Sequence, residues 1–87
     1  MASYNITFKK SVAKDLRNIP NPDIKRILSR IDTLANNPRA EDCVKLSGQE
    51  RYRVRKGNYR IIYEINDGRL VVLVIAIGHR SSVYLTR

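Results

Sequence analysis

An α+β domain, with an N-terminal strand and an αα-hairpin ahead of a three- to four-stranded antiparallel sheet, is predicted by three observations. Apolar residues recur at helical spacing from Phe8 to Ala35, and the period changes to two after Pro38. Two turn signals, Lys56-Gly57-Asn58 and Asn66-Asp67-Gly68, cut the second half into segments of hairpin length. A chain of 87 residues has room for one hydrophobic core, so residues 1–87 are expected to form a single domain.

The elements follow in order. Tyr4 and Ile6 alternate within residues 3–7 and predict a short strand. Phe8, Val12, Leu16 and Ile19 then fall on one helical stripe, edged by Lys9, Lys10, Lys14 and Arg17. Asn18-Ile19-Pro20-Asn21-Pro22 breaks that helix. Asn21 is expected to cap the next one, with Pro22 in its first turn, where a missing N–H costs nothing. Ile24, Ile27, Leu28, Ile31, Leu34 and Ala35 form its apolar face, and Asn36-Asn37-Pro38 ends it. Val44 and Leu46 mark a short strand, Arg51 to Arg55 a second, Tyr59 to Ile65 a third and Arg69 to Ile77 a fourth, with Gly78 as its stop. The last strand is apolar on both faces, whereas the helices cover only one. Either its neighbours seal it, or the tail through Val83, Tyr84 and Leu85 covers it, or a second chain does.

Composition narrows the function. Seventeen basic residues against eight acidic ones give a net charge of +9, which favours a polyanionic partner, and nucleic acid is the commonest. A lone Cys43 excludes an intrachain disulfide, and with a lone His79 it cannot build a zinc site, so no metal or cofactor is expected. The N-terminus does not read as a signal peptide, and the longest apolar run, Leu70 to Ile77, is far shorter than a membrane span. A cytoplasmic protein without membrane contact is the expectation.

The charge is concentrated in one strand-turn-strand. Arg51 to Arg60 holds five basic residues and no acid. Alternation puts Arg51, Arg53 and Arg55 on one face of their strand and Tyr52 and Val54 on the other. If Tyr52 and Val54 join Ile61 and Tyr63 against the helices, then Arg53, Arg55 and Arg60 emerge together on the uncovered face. Arginines so placed can clamp a phosphate bidentately at any physiological pH. They can equally keep a sheet face soluble. His79, Arg80 and Tyr84 follow the last strand and bring a titratable ring, a cation and a phenol toward the same end. That set suits RNA cleavage by an adjacent 2′-hydroxyl, which needs a base, cations for the phosphorane and an acid, but no metal.

Lys45-Leu46-Ser47-Gly48, Tyr52-Arg53-Val54-Arg55, Gly57-Asn58-Tyr59-Arg60-Ile61-Ile62-Tyr63, and Ile77-Gly78-His79-Arg80 with Val83-Tyr84 resemble, in this order, the RelE toxins of the RelE/ParE toxin–antitoxin superfamily. The resemblance spans nearly the whole chain. It implies a metal-independent endoribonuclease, an mRNA interferase that enters the ribosomal (30S) A site and cuts mRNA there. It also implies neutralisation by a RelB-like antitoxin, with operator DNA met only through that antitoxin. Arg60 matches the arginine that holds the scissile phosphate, Arg80 a phosphate-stabilising arginine with a possible acid role, and Tyr84 the tyrosine that stacks on a base. Lys45, Arg51 and Lys56 are expected as further RNA or phosphate contacts. Arg53 and Arg55 stand where the best-known members have lysines. Arginine hardly deprotonates, so either these two only stabilise charge or the base lies elsewhere, with His79 as a candidate. The rival implication is a ParE-type gyrase inhibitor, which acts by binding and generally lacks the combination of Arg60, Arg80 and Tyr84.

Overall fold

The computed structural model describes residues 3–46 and 50–79. Its elements are β1 (Asn5–Phe8), α1 (Ser11–Arg17), α2 (Asn21–Thr33), β2 (Val44–Lys45), β3 (Arg51–Lys56), β4 (Tyr59–Asn66) and β5 (Val71–His79). They form one sheet in the order β1-β5-β4-β3-β2. β1 runs parallel to β5, and every other neighbouring pair is antiparallel. The α+β architecture is therefore the expected one, with the N-terminal strand completing the sheet beside the last.

Local chemistry explains the boundaries, and in several places corrects them. Phe8 was expected to open the first helix, but it ends β1 opposite Val74 and is 44% exposed. α1 then occupies only residues 11–17. Asn21 does not cap α2: it is the first helical residue, Pro20 holds the cap position, and the N–H groups of Asp23 and Ile24 donate to the Pro20 carbonyl. Gly78 does not stop β5, which continues to His79 with Gly78 opposite Arg60.

The β3–β4 turn is as expected. Gly57 has φ +60° and Asn58 is not left-handed, the pattern of a two-residue type II′ hairpin. In the β4–β5 connection the left-handed position falls on Leu70, at φ +56°, and not on Gly68.

The core lies between the helices and one face of the sheet. Val12, Ile19, Ile27, Ile31 and Leu34 pack against Tyr52, Val54, Ile61, Tyr63, Ile65, Val72, Val74 and Ile77. Each such aliphatic contributes about 1.5–3 kcal/mol on burial, which is how a chain of this size folds without a disulfide. α1 lies on β5 and α2 on β3. Asp15 of α1 accepts the Ile77 N–H at 3.0 Å, beyond the point where β1 has run out.

β5 carries a bulge. Tyr63 pairs with Val74 but Ile62 pairs with Ala76, so Ile75 is an extra residue. This resolves the strand's two-sided apolar character. Val72, Val74 and Ile77 all face the helices, while Leu73 and Ala76 lie on the other face beside Glu64 and Ile62.

Candidate nucleic-acid interface

The strand Arg-Tyr-Arg-Val-Arg spends its two apolar residues on the core: Tyr52 is 7% and Val54 0% exposed. Arg51, Arg53 and Arg55 are thereby forced onto the opposite, helix-free face. Hairpin register then sets their neighbours. Arg55 stands across from Arg60, Arg53 from Ile62 and Arg51 from Glu64. On the far side of β4, Gly78 flanks Arg60 and Ala76 flanks Ile62. The result is a low floor of Ile62, Ala76 and Gly78 beside three guanidinium groups. Ile62 is 3% exposed although it lies on the face away from the core.

Directly opposed residues of an antiparallel pair have Cβ atoms about 5 Å apart, where like charges destabilise the hairpin. Arg55 opposite Arg60 is such a pair. Arg53 and Arg55 make no ion pair among the described residues, so these two carry positive charge that an anion would neutralise. A phosphodiester is the anion whose geometry fits several guanidinium forks at once.

Other expected site residues are placed differently. Arg51 donates twice to Glu64, at 2.6 and 3.1 Å, and Lys45 donates to Glu50 at 3.0 Å, so both are engaged in ion pairs. Lys56 follows the parity of Tyr52 and Val54 and lies on the helix side of the sheet. His79 pairs with Tyr59, which puts it on the helix side too, its ring edge-on to Tyr59 at 5.9 Å. Register thus unites Arg53, Arg55 and Arg60 and leaves His79 and Lys56 behind them. Arg80 and Tyr84 lie outside the described residues.

The acids gather at the opposite end of the molecule, around a residue that the sequence reading passed over. Arg39 donates to Asp67 at 2.8 and 3.1 Å, to Glu50 at 2.7 Å and to the Tyr52 hydroxyl at 3.0 Å. Tyr4 adds a 2.6 Å hydrogen bond to Asp67. The hydrogen bonds from Arg39 hold the carboxyls of Asp67 and Glu50 below their ordinary range. Beside this cluster the open face has a hollow of about 400 Å³ that includes Thr7, Glu64, Arg69 and Leu73. The charge is therefore segregated along the strands: acids satisfied at the β4–β5 turn, cations in excess at the β3–β4 turn. Glu50 and Asp67 were the signal available in the sequence, but nothing in the pattern of a loop arginine says which acids it reaches.

Among the described residues no group of three His, Cys, Asp or Glu side chains is arranged to hold a metal ion. Among the same residues no helix is long and apolar enough to cross a membrane.

Residues 6–84 match the family model described as ParE toxin of type II toxin–antitoxin system, parDE. The chain is similar to the putative toxin RelE1 of Methanocaldococcus jannaschii, 31% identical over 85 residues that cover 93% of this chain and 94% of the relative. It is similar to the mRNA interferase toxin RelE of Escherichia coli, 26% identical over 92 residues and covering 94% and 90% of the two chains. Among solved structures, the archaeal RelE–RelB complex from Pyrococcus horikoshii superposes with a TM-score of 0.80 at 31% identity, covering 92% of this chain and 98% of the other.

Proposed function

The chain belongs to the RelE/ParE superfamily of type II toxins, and from that premise we propose that it is a ribosome-dependent mRNA endonuclease restrained by a RelB-like antitoxin. The observation that carries the reading is that the β3–β4 register brings Arg53, Arg55 and Arg60 to one helix-free face, where Arg53 and Arg55 make no ion pair among the described residues. A phosphodiester laid on that face would meet several guanidinium forks at once. In this reading the substrate 2′-hydroxyl attacks the adjacent phosphorus, the 5′-oxygen leaves, and a 2′,3′-cyclic phosphate remains. Arg60, with Arg53 and Arg55, neutralises the extra charge of the phosphorane, as fixed donors do for any developing oxyanion. Arg80 shares that task and Tyr84 stacks on a substrate base, both by the family resemblance. Arginine hardly deprotonates. Arg53 and Arg55 therefore act as charge stabilisers, and positioning of the 2′-hydroxyl on the ribosome supplies much of the rate.

The similarity to an mRNA interferase supports this chemistry, and that to a RelE–RelB complex supports the antitoxin as partner. The family description names ParE, which favours a second reading: inhibition of DNA gyrase by binding. One experiment separates the two. Labelled mRNA is incubated with the purified protein, with and without programmed ribosomes bearing an empty A site, beside a gyrase supercoiling assay. Ribosome-dependent cleavage with a cyclic phosphate end is expected. Intact mRNA in both tubes together with inhibited supercoiling would overturn the nuclease reading.

A further inference from the structure

The one acid of α1 is directed at a strand and not at the cations around it. Lys9, Lys10, Lys14 and Arg17 lie close to Asp15 in the sequence, yet Asp15 makes no ion pair among the described residues. Aspartate is a poor helix former, and near the end of α1 its carboxylate also meets the negative pole of the helix. The helix gains nothing from this residue. Its Oδ2 instead accepts the Ile77 N–H at 3.0 Å. Ile77 is 2% exposed, so water does not reach it to take the place of that acceptor.

The bond falls where β5 loses a neighbour. Up to Val74 the strand is held on both sides, by β4 and by β1, whose last link is the Lys9 N–H to the Val74 carbonyl at 2.9 Å. Past the bulge, β4 is its only strand neighbour among the described residues. Residues of an antiparallel strand turn their N–H and C=O alternately to one side and the other. Lys56 and Tyr59 close a two-residue hairpin, so Tyr59 turns toward β3 and Arg60 toward β5, where Gly78 stands opposite. Gly78 is thus bonded to Arg60, and Ile77, one residue earlier, faces outward to Asp15. Asp15 does for the last stretch of β5 what β1 does for the first.

We infer that Asp15 is a positioning residue for RNA cleavage. By holding the Ile77 N–H it fixes Gly78 beside Arg60, and with it the strand from which the Arg60 guanidinium reaches the phosphate. This role rests on the cleavage reading and adds to it a residue of the helix layer. Without the acceptor, the end of β5 is free to shift, and a misplacement of about 1 Å at reacting groups can cost about 10²-fold in rate. Binding to the ribosome is spread over many contacts, so the loss falls on the rate.

The test is single-turnover cleavage on programmed ribosomes, with ribosome concentration varied to separate maximal rate from half-saturation. Asp15→Ala should lower the maximal rate about 10–10²-fold and leave half-saturation within about twofold of wild type. Asp15→Leu is close in shape, a better helix former and equally without an acceptor, and keeps the test intact should the alanine variant fold poorly. Asp15→Asn retains an acceptor oxygen and should stay within about threefold of wild type. Amide hydrogen exchange gives the local readout. In the alanine and leucine variants Ile77 should exchange about tenfold faster relative to Ile65, whose N–H is held by the Glu50 carbonyl. Tyr63→Phe, destabilised on the far side of the sheet, should cut at the wild-type rate and so separates misplacement from a general loss of stability. Wild-type cleavage by the leucine variant, an equal loss in the asparagine and leucine variants, or a loss confined to half-saturation would each overturn the positioning role. A wild-type protein that cuts no mRNA would remove the cleavage reading itself, and this role with it, whatever the Ile77 amide does.

Discussion

Replacing Tyr63 by phenylalanine removes one atom from the centre of the molecule, and the cost follows from where that atom sits. The Tyr63 side chain is 0% exposed, and its hydroxyl donates to the Pro38 carbonyl at 2.6 Å. Burial raises the pKa of that phenol well above its ordinary value, so it is a donor at every pH at which the protein folds. In the variant the Pro38 carbonyl loses this donor in a site that excludes water. Leaving one buried partner unsatisfied costs about 1–3 kcal/mol. For a domain of this size, about 1 kcal/mol corresponds to 4–8 °C in Tm, so a fall of about 4–24 °C is expected.

Thermal melting by circular dichroism, with a urea titration to check that the slope is unchanged, measures it. Tyr52→Phe is the internal control: its hydroxyl belongs to a partly exposed network and should matter less. A Tm for Tyr63→Phe within about 2 °C of wild type would refute the reasoning, because it would mean that the carbonyl finds water or another donor at negligible cost. Ribosome-dependent cleavage should be unaffected, since Tyr63 lies on the face away from the arginines.

Four further outcomes are expected. Arg55→Thr should raise stability by a few tenths of a kcal/mol, by removing a like-charge opposition, while lowering single-turnover cleavage about 10²-fold; melting and cleavage assays on the same sample check both signs. Asp67 and Glu50, with carboxyl pKa values depressed in the fold by Arg39, contribute stability above the unfolded carboxylate range that is lost as pH falls through their lower folded values. The wild-type Tm should thus decline from about pH 5 downward, and Arg39→Met should flatten that decline in melts taken across the same range. Gly57→Ala meets no atom within 4 Å but must hold φ +60°, so urea unfolding should show a loss of about 1–2 kcal/mol. His79→Gln should leave cleavage within about threefold of wild type, because the ring lies behind the arginine face; a fall of 10²-fold would make His79 the general base or acid.

The sequence was most legible where two signals agreed. In the β3–β4 hairpin the alternation of arginines with Tyr52 and Val54 and the Gly57-Asn58 turn fix the register, and the register alone brings Arg53, Arg55 and Arg60 to one face. The same register pairs Arg51 with Glu64, so that ion pair too is encoded in the alternation of the two strands. β5 was legible as a strand but not in its facing. Val71 to Ile77 is apolar at every position, and a pattern without polar residues carries no information about which side is which. The parallel pairing of β1 with β5 joins opposite ends of the chain, and no local propensity encodes it. Asn66-Asp67-Gly68 promised a glycine-centred turn. In the structure the Asn66 side chain accepts the Arg69 N–H instead, and the left-handed residue is Leu70. The Arg39 cluster was illegible for a related reason: its acids come from separate turns that only the completed sheet brings together.

The extra residue at Ile75 acts as a parity switch for everything downstream of it. Were the ladder regular, Ala76 would meet Ile61 and Ile77 would meet Arg60, so that the core would receive an alanine and the arginine face an isoleucine. With the insertion, the core keeps Ile77, and the neighbour of Arg60 is Gly78, the smallest residue there is. One residue of slack thus converts an uninterrupted apolar strand into one with two distinct sides. It also makes the strand tolerant of a lost residue. A chain lacking Ile75 or Val74 could close into a regular ladder with every later side chain on its present side, and loss of Val72 would turn over only Leu73 and Val74.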